Sequence, residues 1–237
     1  MTLTDRVAVI TGATGGLGQV AARALAAGGA RLALLSTNPL KLDSLAASLN
    51  LPTDQYLTHA ADLTRPEAVE AAAAAVKQAF GRVDILLHLV GGWTGGQPLA
   101  AADPADLEDM LQQHVWTTFY LARAFAPLLA ANGWGRIITV SSPFAVRPNA
   151  RGGIYAAAKA AQDTLLLTLA KELAGSGVTA NVLQVRTIDT GHERDQAPSD
   201  KNGAWTAPEE ITAAVLYLCS DDARMVNGAR IPLFGAG

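Results

Sequence analysis

The run Val9-Ile10-Thr11-Gly12-Ala13-Thr14-Gly15-Gly16-Leu17-Gly18 does most to limit what this chain can fold into. The stretch from Arg6 to Ile10 is short, apolar and rich in Val and Ile, as expected of a strand buried on both faces of a parallel sheet. It stops at a glycine-rich turn and restarts as a helix from Leu17. Glycines at 12, 16 and 18 let the backbone bend sharply and let an anion approach without meeting a Cβ, while the helix start presents free N–H groups. The turn, with Thr11, Gly12, Thr14, Gly16, Leu17 and Gly18, is therefore a candidate pyrophosphate cradle. Its spacing departs from the commoner G-x-G-x-x-G, and the same glycines would also serve a tight turn that holds no ligand.

Short apolar runs alternate with alanine-rich helical segments along the whole chain, the rhythm of a doubly wound α/β sheet with helices on both faces. Strands are expected at 6–11, 31–36, 55–60, 83–90, 135–141, 178–185 and 229–234, and helices at 17–28, 39–50, 66–80, 103–131, 154–175 and 208–220. Gly28-Gly29 and Gly175-Ser176-Gly177 suit helix ends, Pro39 and Pro66 suit first turns, and Asp103-Pro104 places a capping residue before an N1 proline. Two longer irregular segments, 143–153 and 187–207, leave the carboxyl ends of strands, where open α/β sheets bind ligands. They are expected to form a substrate wall and a lid; the plainer alternative is two mobile surface loops.

With 237 residues and a formal net charge of −3, the chain suits one domain, with no basic run long enough to follow a nucleic acid or an anionic membrane. No apolar window reaches the length of a membrane span, and a cytoplasmic location is expected. Cys219 has no partner for an intramolecular disulfide and reads as a small buried residue. His59, His88, His114 and His192 are scattered without a paired ligand spacing, so no metal is expected.

A second signal is Tyr155-Ala156-Ala157-Ala158-Lys159. On a helix these two side chains, four apart, share a face and can point into one cleft. A nearby ammonium and the positive charge of an oxidised nicotinamide both favour phenolate, so Tyr155 could serve as acid or base in hydride transfer to a carbonyl. The run Ile138-Thr139-Val140-Ser141-Ser142 ends a strand thirteen positions before Tyr155. A serine hydroxyl there could support charge on a substrate oxygen. Adjacent strand residues face opposite ways, so only one of Ser141 and Ser142 is expected in the cleft.

With the glycine turn, the serine and the Tyr/Lys pair in this order, nearly the whole chain resembles the classical short-chain dehydrogenase/reductase family. The resemblance implies a nicotinamide-dependent oxidoreductase acting on a carbonyl or alcohol. It assigns Ser142 to oxyanion support, Tyr155 to acid/base work and Lys159 to ribose binding. It also implies cofactor contacts at Asp62, Leu63, Gly91, Ile188 and Thr190. The ending, Asn227-Gly228 before a last strand Arg230 to Phe234, is similar to the family as well.

Departures gather at the nicotinamide end. His88-Leu89-Val90-Gly91 stands where the family usually has Asn-Asn-Ala-Gly, and His114 stands where it places an asparagine that supports a water relay. A neutral imidazole at 114 could relay protons or be an ordinary interhelical histidine. Val185-Arg186 replaces Pro-Gly, so Arg186 either meets a phosphate or substrate carboxylate or turns to solvent. These departures keep a second reading open: a nucleotide-binding protein with little or no turnover, acting as a regulatory or assembly partner.

Cofactor choice turns on Leu35-Ser36-Thr37-Asn38, which lacks both the acid that pairs with NAD ribose and the basic residues common for NADP. Hydroxyl and amide donors at Ser36, Thr37 and Asn38 favour NADP(H) over NAD(H). Trp93 and Phe144 suit an apolar or ring-bearing substrate, Arg147 and Arg151 an acidic one, and the polar stretch 191–196 an open site. Apolar residues around two late helices, including Trp116, Phe119, Tyr120, Phe125 and Leu165-Leu166-Leu167, call for a second surface, and the resemblance implies a homodimer or homotetramer.

Overall fold

The Val, Ile and Leu runs become strands wherever glycine, proline or a capping residue bounds them. The computed structural model describes residues 2–235. Its strands are β1 (Val7–Thr11), β2 (Arg31–Ser36), β3 (Tyr56–Ala60), β4 (Ile85–His88), β5 (Gly135–Ser141), β6 (Val178–Gln184) and β7 (Arg230–Pro232). They form one sheet in the order β3-β2-β1-β4-β5-β6-β7, with every neighbouring pair parallel. The chain reverses direction across the sheet between β1 and β4, which opens a crevice at their carboxyl ends.

The helices are α1 (Gly16–Ala27), α2 (Pro39–Leu49), α3 (Pro66–Phe80), α4 (Pro104–Leu111), α5 (Thr117–Ala130), α6 (Gly153–Glu172), α7 (Glu193–Gln196) and α8 (Pro208–Leu218). They cover both sheet faces, giving the Rossmann-like fold expected. Successive strand residues point to opposite faces. Ala8 and Ile10 pack with Leu17, Leu25, Ile211 and Val215 on one side, while Val7 and Val9 pack with Val69, Val76, Phe125 and Leu166 on the other. This two-sided cover explains why β1 is buried throughout. Cys219 is buried as expected. Among the described residues no helix is long and apolar enough to cross a membrane.

At the amino-terminal edge of the sheet, charges are buried but paired. Asp84 accepts hydrogen bonds from Val7 N at 2.9 Å, Arg82 Nη2 at 2.6 Å and Arg6 Nη1 at 3.1 Å. Arg136, on β5, donates to the carbonyls of Leu218 at 2.9 Å and Gly135 at 2.8 Å.

One expectation changes. The helix expected over 103–131 starts at its cap, where Asp103 Oδ1 accepts from Ala105 N at 2.9 Å. It is then interrupted by a π-turn, Gln112–Trp116, between α4 and α5. The Thr117 and Thr118 hydroxyls donate to the carbonyls of Gln113 at 2.6 Å and His114 at 2.7 Å within the widened turn. The segment 187–207, expected as a lid or a mobile surface loop, carries α7 and is anchored at several points. Ile188 bridges Thr206, and Arg194 binds Glu210 at 2.8 Å and the Trp205 carbonyl at 2.7 Å.

Candidate active site

The glycine turn is shaped by backbone crowding. Gly12 takes φ of +64°, a conformation that side chains rarely adopt. A Cβ at Gly18 would collide with the carbonyl oxygens of Gly12 and Ala13, and one at Gly16 with the Thr190 side chain. Gly12, Gly16, Leu17 and Gly18 line a cleft whose far side is Gly91, His114, Tyr155 and Lys159, with Arg186, Ile188 and Thr190 closing it from the 187–207 segment. These glycines let the turn close against β4 and the start of α1, and a tight turn opening on a helix N-terminus that lines the cleft fits a pyrophosphate. Thr11 lies behind this surface: its buried hydroxyl is 2.9 Å from His88 Nδ1 and accepts from Leu89 N at 3.1 Å, clamping β1 to β4.

Ser142, expected to end the fifth strand, follows it as the cap of a short 3-10 turn, where its hydroxyl accepts from Phe144 N at 3.3 Å. Burial pushes the Tyr155 phenol up to about 12; a hydrogen bond from the adjacent Ser142 pulls the other way, and the Asp163 charge adds to the rise. Burial pushes the Lys159 ammonium down to about 8, opposed by Asp163. Lys159 Nζ lies 5.9 Å from the Tyr155 ring centroid and donates to the Val140 carbonyl and to Gln162 Oε1, each at 2.9 Å. In the free protein, then, burial outweighs the lysine's expected pull on the phenol. Of the two serines it is Ser141, not the expected Ser142, that lines the cleft, its buried Oγ unpartnered among the described residues.

The two unusual histidines are both buried. Burial, with the charge of Lys159 second, pushes each down to about 3, so both are neutral near pH 7. His114 Nε2 is 2.9 Å from the Gly92 carbonyl, which makes it the protonated nitrogen and leaves Nδ1 an acceptor without a partner among the described residues. Its ring meets Tyr155 edge-on, centroids 5.7 Å apart. A Cβ on Gly91 would collide with that ring, which explains why the glycine stands beside so altered a strand end. His114, by sequence either a relay residue or an ordinary interhelical histidine, has its carbonyl accepting from the Thr118 hydroxyl at 2.7 Å.

Ser36, Thr37, Asn38, Asp62 and Leu63 lie outside the cleft lining. The Ser36 and Thr14 hydroxyls are 2.7 Å apart, Asn38 Oδ1 caps α2 by accepting from Lys41 N at 3.0 Å, and Thr37 is exposed. Asp62 Oδ1 accepts from Thr64 N at 3.0 Å, while Leu63 is buried in the core. Trp93 is 64% exposed. Phe144 and Arg147 share a neighbouring hollow with Arg186 and Arg230, and Arg151 lines another with Asn149. Gln162 was not anticipated from the sequence; its signal was a polar residue in the buried stripe of α6, followed by Leu166 and Leu169.

Residues 6–201 match the family model for short chain dehydrogenases. The chain is 32% identical to D-threitol dehydrogenase of Mycolicibacterium smegmatis, over 98% of this chain and 93% of the relative. Its structure resembles that of 3-ketoacyl-(acyl-carrier-protein) reductase from Brucella melitensis complexed with NADH, at TM-score 0.88 and 27% identity, covering 99% of each chain. It also resembles a short chain dehydrogenase from Bacillus anthracis, at TM-score 0.87 and 27% identity, covering 98% of this chain and 95% of the other. From the glycine cradle to these whole-length likenesses, the chain belongs to the short-chain dehydrogenase family of oxidoreductases.

Proposed function

We propose that this chain is a single-domain carbonyl reductase, interconverting a carbonyl and an alcohol with NADP(H) preferred over NAD(H). The observation that carries this reading is the convergence of Tyr155 and Lys159 on the same cleft as the glycine cradle, with Ser142 beside the phenol. The cradle, Ile188 and Thr190 would hold the dinucleotide, which when bound supplies the hydride. Tyr155 Oη, protonated at neutral pH because burial holds it at about 12, donates its proton to the substrate oxygen as the alkoxide forms. The Ser142 hydroxyl supports that oxygen, and Lys159 offsets the phenolate left behind.

Turnover of NADPH against ketones, aldehydes, keto acyl thioesters and the oxidised forms of polyols tests this, with Tyr155→Phe expected to lower kcat about 10³-fold at unchanged cofactor Kd. A second reading, nucleotide binding with little turnover, draws support from the Lys159 ammonium being held by protein acceptors. Tight binding with no oxidation of reduced cofactor, in the wild type as in Tyr155→Phe, would select it.

For the cofactor, the paired Thr14 and Ser36 hydroxyls and the absence of an acid at 35–38 support NADP(H). Ser36→Asp is expected to weaken NADPH about tenfold, near 1.4 kcal/mol, while sparing NADH; equal weakening of both in a dissociation-constant comparison would contradict the preference. Trp116 and Phe119 are exposed and Trp116 stacks on Tyr120, an apolar face that supports a homodimer or homotetramer. Light scattering showing only monomer at micromolar concentration would refute it.

A further inference from the structure

Gln162 is fully buried on α6, three residues beyond Lys159. A primary amide inside a protein needs partners for both its oxygen and its nitrogen. Here Oε1 accepts from Lys159 Nζ at 2.9 Å and Nε2 donates to Thr118 Oγ1 at 3.0 Å. Thr118 spends its one hydroxyl proton on the His114 carbonyl, at 2.7 Å, so towards Gln162 it can only accept. Every bond in the row therefore has a fixed direction, running from the ammonium into the π-turn. All four residues are buried, where such bonds are stronger than in water and costly to leave half-made.

The ammonium has few other ways to be satisfied. Its second acceptor is the Val140 carbonyl at 2.9 Å. The titratable groups around it are His88 from β4, His114 from the π-turn, and Tyr155 and Asp163 on its own helix. Both histidines are neutral at pH 7, and Asp163 is paired with Arg230 Nε at 3.0 Å.

We propose that Gln162 is a positioning residue for Lys159, its amide tethering the ammonium to the widened turn that carries His114 so that lysine and imidazole are set as one unit. This rests on the reading of Lys159 as the group that acts on the bound cofactor and on Tyr155. The amide passes no proton along; it orients the lysine and stabilises its charged form. Losing Oε1 leaves a buried ammonium with one protein acceptor and lowers its pKa, whereas a carboxylate in the same place raises it.

Nitrogen-15 NMR of the lysine side chains tests the tether on the full chain without cofactor. The five lysines are Lys41, Lys77, Lys159, Lys171 and Lys201, and Lys159→Arg identifies the signal of interest. Gln162→Leu and Thr118→Val are expected to lower the Lys159 titration midpoint, the first by about one unit, and Gln162→Glu to raise it by about one unit. In turnover, Gln162→Leu is expected to lower kcat about tenfold with the carbonyl KM unchanged and the pH profile displaced in step with the lysine. Should Gln162→Leu fail to fold, Gln162→Glu and Thr118→Val carry the test. A midpoint that stays within about 0.3 unit of wild type in the folded variants overturns the proposal, because a purely structural amide would change melting and not titration. Absence of turnover in the wild type would defeat the reductase reading alone, since the lysine midpoint is read without substrate.

Discussion

The two edges of the sheet handle buried polarity in opposite ways. At the amino-terminal edge, Asp84 meets a backbone amide and two arginines, and Arg136 meets backbone carbonyls. At the carboxyl edge, Ser141 Oγ and Gln184 Nε2 end β5 and β6 without partners among the described residues, as do His114 Nδ1 and Asp163 Oδ1 nearby. The division is not absolute, since Arg31 Nε at the start of β2 is also unpartnered. Still, one edge spends its polar groups on holding the fold, and the other keeps some in reserve where the cleft lies. Buried polar groups are normally satisfied, so a cluster of exceptions marks where structure gives way to function.

That contrast can be broken most forcefully at His88, which gives a pH signature at the cleft edge. Folded His88 takes up no proton until about pH 3, whereas the unfolded chain does so below about 6.5. Its stability contribution is therefore complete above pH 6.5 and is lost as pH falls towards 3. His88→Asn is expected to shrink the stability difference between pH 7 and pH 4 by about 3 kcal/mol; an unchanged difference in paired denaturation curves would contradict a buried neutral imidazole. Asp84→Ala is expected to cost about 2 kcal/mol in urea unfolding, because it strands the buried Val7 amide and removes the acceptor of two partly exposed arginines, while the folded fraction binds cofactor as before. A loss below about 1 kcal/mol, the worth of one ordinary hydrogen bond, would show that the amino-terminal edge is no better secured than the other. The smallest effect lies at Ser141. Ser141→Ala removes an unpartnered buried hydroxyl and is expected to stabilise by about 1 kcal/mol, and a drop in melting temperature would mean that this oxygen is satisfied after all.

The glycine cradle, the alternation of strands and helices and the Tyr155–Lys159 pair were legible because they depend on local rules: where a Cβ can fit, which residues alternate, which share a helical face. The π-turn was not, since one extra residue in a turn leaves the apolar periodicity of 103–131 nearly unchanged. Gln162 and Thr118 were hidden for another reason. They sit 44 positions apart, and only the packing of α5 against α6 reveals that one supplies the acceptor the other needs. Segment 187–207 reads as a polar loop because its anchors, Arg194 to Glu210 and Ile188 to Thr206, also join residues that pattern alone does not pair. Outside the cleft lining, the Asn38 oxygen caps α2, which leaves the amide nitrogen as the donor to offer a phosphate.

The interlock of Gly91 with the His114 ring also constrains which substitutions the chain can accept. A larger residue at 91 can be accepted only after His114 has given way to something smaller, because the reverse order passes through a chain in which the two collide. Substitutions at these two positions are therefore expected to be strongly non-additive. With histidine at 114, the glycine at 91 has no room to take on a side chain.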